Sequence, residues 1–333
     1  MRILITDLNT KIHKDLEKKS AGSGVELDIY KTANDVTEES WNKADGIITY
    51  RCSKNVMDAI LKINNTKIVV RGGVGFDGLD LNKLGQKGIA VFTVPDYGTT
   101  EVADHSIALM LMMRRGLDQY DPLMRANPNK NWQYVQSPCL DRIRGKTFGI
   151  LGLGRIGNAV AKRASSFDMN IAFYDPFLPD GTELSYGYKR VSSLKELFKI
   201  CDTISIHCPL NEKTKEIINK SILSHAKKSL LLLNTARGQI INLKDLYHAL
   251  KDNIISGAAL DVLPTEPPSN SEPLINAYMS NENWLTGRFV LTPHAAYYSP
   301  PGLEDLRSKA VKTVVEYIKN GNLRNCQNIK FFN

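Results

Sequence analysis

Residues 147–157 read TFGILGLGRIG, and no other segment indicates the fold of the chain as clearly. Five mostly apolar residues predict a buried strand. Three glycines, Gly152, Gly154 and Gly157, follow with the spacing GxGxxG at the start of an amphipathic helix. In that context the first glycine permits a tight turn, the second lets the backbone approach a pyrophosphate, and the third lets the helix pack on the strand. The stretch therefore predicts a dinucleotide-binding loop.

A carboxylate at the end of the next predicted strand indicates which dinucleotide binds. Asp175 lies 18 residues beyond Gly157 (175 − 157 = 18). At this place an acidic side chain accepts hydrogen bonds from the adenosine ribose and repels a 2′-phosphate. Free N–H groups at the start of the helix face the pyrophosphate. The sequence therefore predicts NAD, rather than NADP, as the cofactor.

Short strands alternate with helical segments on both sides of this loop. The predicted strands are Arg2–Asp7, Glu26–Tyr30, Gly46–Tyr50, Lys67–Arg71, Ala90–Val94, Thr147–Leu151, Asn170–Tyr174, Thr203–His207, Leu230–Asn234, Gly257–Asp261 and Arg288–Thr292. Such alternation is typical of parallel sheets covered by helices on both faces. We predict an α/β protein with two doubly wound parallel-sheet domains. One is a flavodoxin-like substrate domain and the other a Rossmann NAD domain, with the active site in the cleft between them.

The length of 333 residues fits two domains of about 150 residues each. The last predicted helix, Leu303–Lys319, follows the second series of strands and is expected to pack on the first half of the chain. The substrate domain is therefore discontinuous and comprises residues 1–99 and 293–333. Residues 100–292 form the NAD domain.

Two segments of the NAD domain predict how the protein assembles. Glu101–Gly116 is a long helix with several methionines, and Asp121–Pro138 is rich in proline and asparagine and has no helical period. A segment of the second kind predicts a long irregular arm of the sort that crosses to a neighbour. We expect a homodimer formed through the cofactor domain.

Composition excludes several classes of protein. Hydrophobic residues make up 42% and charged residues 23% of the chain, as in ordinary globular proteins. No apolar run approaches the roughly 18 residues of a membrane span, and the start, MRILITDLNT, lacks the apolar core of a signal peptide. The five cysteines form no CxxC pair, which predicts neither a metal site nor a disulfide framework. We expect a cytoplasmic protein without membrane contact.

The formal net charge of +8, from 43 Lys and Arg against 35 Asp and Glu, is compatible with three explanations. These are a nucleic-acid partner, an anionic ligand, and solubility alone. The lysines are spread over predicted helix faces in both halves of the chain instead of forming one stripe with aromatic residues. We therefore expect a solubility trait with a local anion site and no nucleic-acid partner.

Three ionisable residues lie at or after the carboxyl ends of later strands, where open α/β sheets bind ligands. Arg237 follows LLLLNTA, Glu266 follows the strand that ends at Asp261, and His294 follows FVLTP. Each alone is more often a surface charge, a loop residue or a structural histidine. Together they supply a cation for a carboxylate, a group for proton transfer, and a carboxylate that holds that group in one tautomer. The set fits 2-keto acid reduction, or 2-hydroxy acid oxidation, beside a nicotinamide.

With these residues in place, the sequence resembles the D-isomer-specific 2-hydroxyacid dehydrogenase family over essentially its whole length. The resemblance rests on GLGRIG (Gly152–Gly157), NTARGQIIN (Asn234–Asn242), GAALDVLPTEP (Gly257–Pro267), TPHAAYYS (Thr292–Ser299), RGGVGFDGLD (Arg71–Asp80) and VPDYGTTEVADHSIALML (Val94–Leu111). Within the family, VPDYGTTEVADH, HAAYYS and the extended loop after Glu266 are most similar to the branch of the C-terminal binding proteins and their bacterial relatives.

The resemblance implies a role for each member of the catalytic set. His294 would protonate the carbonyl oxygen during reduction and act as the base in the reverse direction. Glu266 would hydrogen-bond the other ring nitrogen. Arg237 would clamp the substrate carboxylate with two N–H groups, which lysine reproduces poorly. Backbone groups around Gly73, Val74 and Gly75 would also bind that carboxylate, and Tyr297 would line the side-chain pocket.

The resemblance also implies a set of cofactor contacts. The amides of Arg155 and Ile156 would touch the pyrophosphate beside the three glycines of the loop. Pro209 would line the adenosine side, Thr99 would lie near the nicotinamide, and Asp261 would accept a hydrogen bond from its carboxamide.

Four residues keep more than one interpretation. Arg71 either binds a second anionic group of the substrate or is a strand-end charge in solvent. His207 belongs to the cofactor wall or the structure, in preference to catalysis, and His105 to helix packing or a polar network. Tyr297 stands where the C-terminal binding proteins carry tryptophan, so their preferred keto acid cannot be carried over.

Two functions from different classes are compatible with the sequence. The first is an NAD-dependent D-2-hydroxyacid dehydrogenase acting on a small 2-keto or 2-hydroxy acid, which the complete set of Arg237, Glu266 and His294 favours. The second is an NAD(H)-sensing, corepressor-like binding protein with little turnover, which would retain the same residues. The lack of a long disordered tail after Lys319 leads us to expect the enzyme.

Overall fold

The computed structural model describes residues 1–8 and 15–332. The chain forms two compact units, of which the first comprises Met1–Gly98 and Tyr298–Asn333 and the second Thr99–Tyr297. The chain thus leaves the first unit after residue 98 and returns to it at residue 298. The sequence predicts these two points at residues 99 and 293.

The strands of the described residues alternate with helices along the chain. The strands are β1 (Arg2–Thr6), β2 (Glu26–Ile29), β3 (Gly46–Thr49), β4 (Ile68–Arg71), β5 (Ala90–Thr93), β6 (Thr147–Leu151), β7 (Asn170–Tyr174), β8 (Lys189–Arg190), β9 (Thr203–Ile206), β10 (Leu231–Asn234), β11 (Gly257–Leu260) and β12 (Phe289–Leu291).

The helices in the same part of the chain range from one turn to more than five. They are α1 (Leu16–Ala21), α2 (Glu38–Lys43), α3 (Lys54–Lys62), α4 (Leu81–Gln86), α5 (Thr99–Arg115), α6 (Leu117–Ala126), α7 (Pro128–Asn131), α8 (Arg155–Ser165), α9 (Thr182–Tyr186), α10 (Leu194–Ile200), α11 (Lys220–Leu223), α12 (Leu243–Lys251), α13 (Pro273–Met279) and α14 (Pro300–Asn320). None of them is long and apolar enough to cross a membrane.

The first unit is built on a parallel sheet with the strand order β2-β1-β3-β4-β5. This is the order of flavodoxin-like folds, in which ligands bind at the carboxyl ends of the strands. Helix α14 packs on β3 and β4. It is tied to α1 by a buried ion pair in which Nη2 of Arg307 lies 2.8 Å from Oε2 of Glu17.

The second unit is built on a parallel sheet with the order β12-β11-β10-β9-β6-β7-β8. Counted from β6 as the first strand, this is the Rossmann order 3-2-1-4-5-6 with one further strand. β9, β10 and β11 are buried along their whole length, because helices cover both faces of the sheet. The predicted fold class is confirmed, with one doubly wound parallel sheet in each unit. A site between the units stays a prediction.

The prediction of an irregular arm over Asp121–Pro138 is wrong for its first part, which forms the end of α6 and the whole of α7. The residues that indicated a loop begin a helix instead. The side chain of Asn127 accepts a hydrogen bond of 3.1 Å from the N–H of Lys130. Pro128 occupies the first turn, where its missing N–H is not needed. Residues 132–138 lie outside helices and strands.

Candidate active site

The glycine-rich loop between β6 and α8 has the geometry that a pyrophosphate site needs. At Gly152 φ is +90°, and an added Cβ would lie 2.7 Å from the backbone N of Cys208. At Gly157 an added Cβ would lie 2.2 Å from the carbonyl O of Gly152, so the helix packs directly on the loop. At Gly154 an added Cβ would meet open space. The chain itself does not require a glycine there, and the bare backbone leaves room for a phosphate beside the first amides of α8, those of Arg155 and Ile156.

Asp175, which follows β7, binds this loop through its carboxylate. Oδ2 accepts a hydrogen bond of 3.0 Å from the N–H of Leu153, and Oδ1 accepts one of 3.0 Å from the N–H of Phe177. Each carboxylate oxygen can accept a second hydrogen bond. Asp175, the residue predicted to bind the ribose, therefore lies next to the loop predicted to bind the pyrophosphate. The residues present fit an NAD molecule.

The predicted acid/base residue and its carboxylate partner are in direct contact. Nδ1 of His294 lies 2.7 Å from Oε2 of Glu266, while Oε1 of Glu266 accepts a hydrogen bond of 2.9 Å from the N–H of Leu263. A carboxylate only accepts, so Nδ1 carries the shared proton and Nε2 is the nitrogen left for a substrate. The side chains are 43% and 37% exposed, which leaves the pair accessible.

Glu266 is held in its charged form. Partial burial, the largest single influence, opposes ionisation, but the hydrogen bonds from His294 and from the N–H of Leu263 outweigh it. The guanidinium of Arg237 and His294 in its protonated form act in the same direction, and the net effect lowers the pKa of Glu266 below its usual value. Arg237 is thus close enough to the pair to act on it electrostatically.

The loop that carries His294 is anchored by Asp261 at the end of β11. Its buried carboxylate accepts a hydrogen bond of 2.5 Å from Oγ1 of Thr292 and two of 2.9 Å from the N–H groups of Ala295 and Ala296. The N–H of His294 donates to the Asp261 carbonyl at 2.8 Å, and φ of His294 is +53°. These bonds hold a non-glycine residue in a left-handed conformation. The predicted contact of Asp261 with the carboxamide stays a prediction.

Arg237 lies on a turn that packs against the loop bearing Glu266. The buried side chain of Asn234 spans the turn, donating to the carbonyl O of Arg237 at 2.9 Å and accepting from the N–H of Ala236 at 3.0 Å. At the next residue, Gly238, an added Cβ would lie 1.9 Å from the carbonyl carbon of Leu263. Only a glycine permits this approach, and it places the loops of Arg237 and Glu266 against each other.

The predicted substrate residues of the first unit form a group of their own after β4. The guanidinium of Arg71 folds back and donates to the carbonyl O of Gly72. The N–H of Gly73 donates to the carbonyl O of Arg71 at 2.8 Å, so this amide is already occupied. The amides of Val74 and Gly75 have no partner among the residues that the structure describes. These two amides, rather than that of Gly73, are free to bind a carboxylate.

The remaining predicted residues occupy varied surroundings in the second unit. Oγ1 of Thr99, in the first turn of α5, is buried without a partner in the described part of the chain. The ring of Tyr297 stands edge-on to that of His294, with 6.3 Å between centroids. Pro209 is exposed, and its carbonyl O accepts a hydrogen bond of 2.6 Å from Oγ1 of Thr214.

His207 has surroundings that fit a structural role. One of its ring nitrogens, Nε2, lies 2.8 Å from Oγ of Ser205. The residue keeps a partly exposed edge, but burial of the ring lowers the pKa of His207 to about 3. A histidine that remains neutral is a poor candidate for acid/base work near neutral pH.

Three polar residues that lie close to Arg237 and His294 were not singled out from the sequence. Asn234, Thr235 and Thr292 lie within three positions of Arg237 or His294, at or beyond the ends of β10 and β12. Their signal was present in NTAR and LTPH, where small polar residues stand at the carboxyl ends of strands.

The strand order, the glycine loop and the carboxylate of Asp175 beside it define a dinucleotide-binding protein of the Rossmann class, with an imidazole–carboxylate pair at the strand ends. Residues 107–296 match the family model described as D-isomer specific 2-hydroxyacid dehydrogenase, NAD binding domain. The chain belongs to the D-isomer specific 2-hydroxyacid dehydrogenase family. The family resemblance is confirmed, as is NAD at the level of the matched domain, whereas the narrower placement near the C-terminal binding proteins is not.

Individual relatives in the family differ in their substrates. The D-3-phosphoglycerate dehydrogenase of Methanocaldococcus jannaschii is 36% identical over 320 residues, which are 96% of this chain but only 57% of that protein. The D-lactate dehydrogenase of Aquifex aeolicus, solved with NAD and lactic acid, has a TM-score of 0.82 and 28% identity, covering 98% of this chain and 97% of that one. An NADPH-dependent glyoxylate/hydroxypyruvate reductase of Sinorhizobium meliloti, solved with NADP and malonate, has a TM-score of 0.82 and 28% identity, covering 96% and 94%.

Proposed function

We propose that this protein is an NAD-dependent dehydrogenase that interconverts a small 2-keto acid and the D-isomer of the 2-hydroxy acid. The observation that carries the proposal is the 2.7 Å hydrogen bond between Nδ1 of His294 and Glu266, with Arg237 near enough to lower the pKa of that carboxyl. An acid/base group, its orienting carboxylate and a carboxylate-binding cation are the three parts that this reaction needs.

NADH, when bound, supplies the hydride that adds to C2 of the keto acid. The guanidinium of Arg237 binds the substrate carboxylate with two N–H groups and polarises the neighbouring carbonyl. His294 donates the proton on Nε2 to the carbonyl oxygen, so that one keto acid, one NADH and one proton give one hydroxy acid and one NAD⁺. In the opposite direction the neutral imidazole takes the hydroxyl proton.

Glu266 orients His294 and balances its charge. Its hydrogen bond to Nδ1 keeps the ring turned with Nε2 toward the substrate, and its negative charge stabilises the imidazolium present before proton donation. Because the pKa of Glu266 is lowered, this charge is present throughout the neutral range. The free amides of Val74 and Gly75 are proposed as further donors to the substrate carboxylate, and Arg71 and Tyr297 as the residues that select its side chain.

NAD is proposed in preference to NADP because of Asp175. Its carboxylate is fixed in place by the N–H groups of Leu153 and Phe177, and a 2′-phosphate beside it would meet a negative charge. The corepressor-like alternative lacks comparable support, since the similar proteins named above are dehydrogenases and a reductase.

The proposal is tested by NADH oxidation with purified protein and a panel of keto acids. The panel contains glyoxylate, pyruvate, hydroxypyruvate, longer aliphatic keto acids and a phosphorylated keto acid. We expect turnover with at least one of them, and loss of more than about 99% of kcat in His294→Ala, since an acid/base group contributes about 10² to 10⁴ in rate. NADH binding, followed by fluorescence, should persist in the variant. NADH binding without turnover of any acid would contradict the enzyme and favour the sensor.

The proposed assembly is a homodimer formed through the second unit, but not through the apolar stripe of α5. Ile107, Leu109, Met110 and Met113 are buried in the core of their own unit. The apolar surface left for a partner includes Trp132 and Tyr134, which are 81% and 78% exposed. Light scattering at micromolar concentration should give twice the chain mass, and a monomer mass would contradict the dimer.

The proposed location is the cytoplasm. All five cysteines are free thiols, as is usual in a reducing compartment.

A further inference from the structure

Two consecutive residues of α5, His105 and Ser106, contact the loops that carry the two key side chains of the proposed reaction. Nε2 of His105 lies 3.1 Å from Oγ1 of Thr292, two residues before His294. Oγ of Ser106 lies 2.9 Å from Oγ1 of Thr235, two residues before Arg237.

The direction of the first hydrogen bond follows from its neighbours. Thr292 has a single hydroxyl proton, and it donates this proton to Oδ1 of Asp261 at 2.5 Å. The hydroxyl can therefore only accept from His105. Nε2 of His105 must therefore carry a proton. His105 donates to Thr292, and Thr292 donates to the carboxylate of Asp261, which anchors the loop of His294.

The second hydrogen bond has a defined direction as well. Ser106 donates its hydroxyl proton to the carbonyl O of Val102, one turn earlier in α5, at 2.8 Å. The hydroxyl of Thr235 must then be the donor to Oγ of Ser106. Both Ser106 and Thr235 are buried, where an unmade hydrogen bond is costly, so this contact fixes the start of the turn that bears Arg237.

We propose that His105 and Ser106 are positioning residues that act through Thr292 and Thr235 on His294 and Arg237, respectively. The inference rests on the proposed dehydrogenase function and deepens it. We call the contact of His105 with Thr292 the His105 arm, and the contact of Ser106 with Thr235 the Ser106 arm. The two arms act on different steps, because His294 transfers the proton whereas Arg237 binds the substrate. A defect in the His105 arm should therefore appear in kcat, and a defect in the Ser106 arm should appear mainly in KM.

Four variants of the full chain test the two arms. His105→Leu removes the donor, and His105→Gln returns an N–H at the place of Nε2. Ser106→Ala removes the acceptor of Thr235. Thr313→Val is the matched control, since its hydroxyl donates to the carbonyl O of Lys309 in α14 and has no other partner in the described part of the chain.

We expect kcat to fall about tenfold or more in His105→Leu, with KM and the NADH Kd within about threefold of the wild type, and to recover to within about threefold in His105→Gln. Ser106→Ala should raise KM at least fivefold with a smaller change in kcat, and Thr313→Val should change neither. Three outcomes would overturn the proposal. They are a wild-type kcat in His105→Leu, an equal loss of kcat in His105→Leu and His105→Gln, and a change in the same kinetic parameter in the variants of both arms.

A second readout separates this proposal from the proposed function. Amide hydrogen exchange over residues 292–296 should be at least fivefold faster in His105→Leu than in the wild type, whether or not the protein turns over a keto acid. Absence of turnover in the wild type would contradict the dehydrogenase function. The hydrogen-exchange measurement alone would then test the positioning role of His105. Unchanged exchange in His105→Leu overturns the positioning role in either case.

Discussion

Oδ2 of Asp175 accepts a hydrogen bond of 3.0 Å from the backbone N–H of Leu153. This bond joins the end of β7 to the glycine-rich loop that follows β6, its neighbour in the sheet. One carboxylate therefore shapes the pyrophosphate loop and also stands where the adenosine ribose is expected. Loss of the side chain should act on two parts of the cofactor at once.

Asp175→Ala should accordingly raise the Kd for NADH about tenfold or more, and a tenfold change corresponds to about 1.4 kcal/mol of binding free energy. NADPH binding should weaken less, because a 2′-phosphate no longer meets a negative charge. Asp175→Asn keeps an acceptor without the charge and should have an intermediate preference. Fluorescence titration with both dinucleotides measures the ratio of the two Kd values. A ratio unchanged in Asp175→Ala would refute the assignment of Asp175 to the ribose.

Glu266→Gln should change the pH dependence of keto-acid reduction more than cofactor binding. A glutamine at this position still accepts a hydrogen bond from Nδ1 of His294 but carries no charge, so the imidazolium loses its counter-charge. Because the charge of His294 and that of Glu266 stabilise each other, the pH above which reduction is lost should move down.

Profiles of kcat/KM from about pH 5 to about pH 9 measure this displacement. Glu282→Gln, which changes an exposed glutamate outside the site, is the matched control and should leave the profile in place. A Glu266→Gln profile that superimposes on that of the wild type would show that Glu266 acts on His294 only by orientation.

Local sequence patterns made the fold and the candidate catalytic residues predictable. The glycine loop is decided within eleven residues, and its strand and helix have unambiguous periodicity. Arg237, Glu266 and His294 each follow a recognisable strand. The hydrogen bonds that position them do not follow from local patterns, because they join residues 129 and 187 positions apart, as between Ser106 and Thr235 and between His105 and Thr292.

Two features of the sequence were compatible with more than one structural role. The apolar stripe of α5 showed that one face of the helix is buried but not against which surface, and the structure uses it in the core of its own unit. In α6 and α7 the prolines and asparagines indicated a segment without regular secondary structure. Asn127 and Pro128 begin a helix there, since the same residues favour loops and helix starts.

His207 should make the free energy of unfolding depend on pH in the acid range. Burial lowers its pKa in the folded protein, while in the unfolded chain it titrates near its usual value of about 6.5. Below about pH 6.5 the unfolded chain therefore binds one more proton than the folded protein. Stability falls as the pH falls toward the lowered pKa, by up to about 1.4 kcal/mol per pH unit, and this contribution is constant above about pH 6.5.

His207→Gln should consequently reduce the slope of unfolding free energy against pH between about pH 6 and about pH 4.5. Urea unfolding at a series of pH values provides the slopes, which are compared independently of any constant loss from repacking. His225→Gln changes an exposed histidine and should keep the wild-type slope. Equal slopes for the wild type and His207→Gln would disprove the buried neutral state.

The glycine loop allows folding and cofactor binding to be separated with two neighbouring substitutions. At Gly157 an added Cβ would lie 2.2 Å from the carbonyl O of Gly152, a backbone atom that cannot move without distorting the turn. Gly157→Ala should therefore destabilise the protein by about 2 kcal/mol or more, with a lower Tm.

At Gly154 an added Cβ would meet open space, and φ of −77° suits any residue. Gly154→Ala should keep the wild-type Tm, because neither a clash nor backbone strain arises. It should nevertheless raise the NADH Kd by about tenfold or more, since the methyl group fills the space that the pyrophosphate needs. Thermal unfolding and NADH titration of both variants distinguish the two effects. If Gly154→Ala bound NADH as tightly as the wild type, the space beside residue 154 would not be the pyrophosphate site. The glycine there would then need another explanation, because the protein's own packing does not require it.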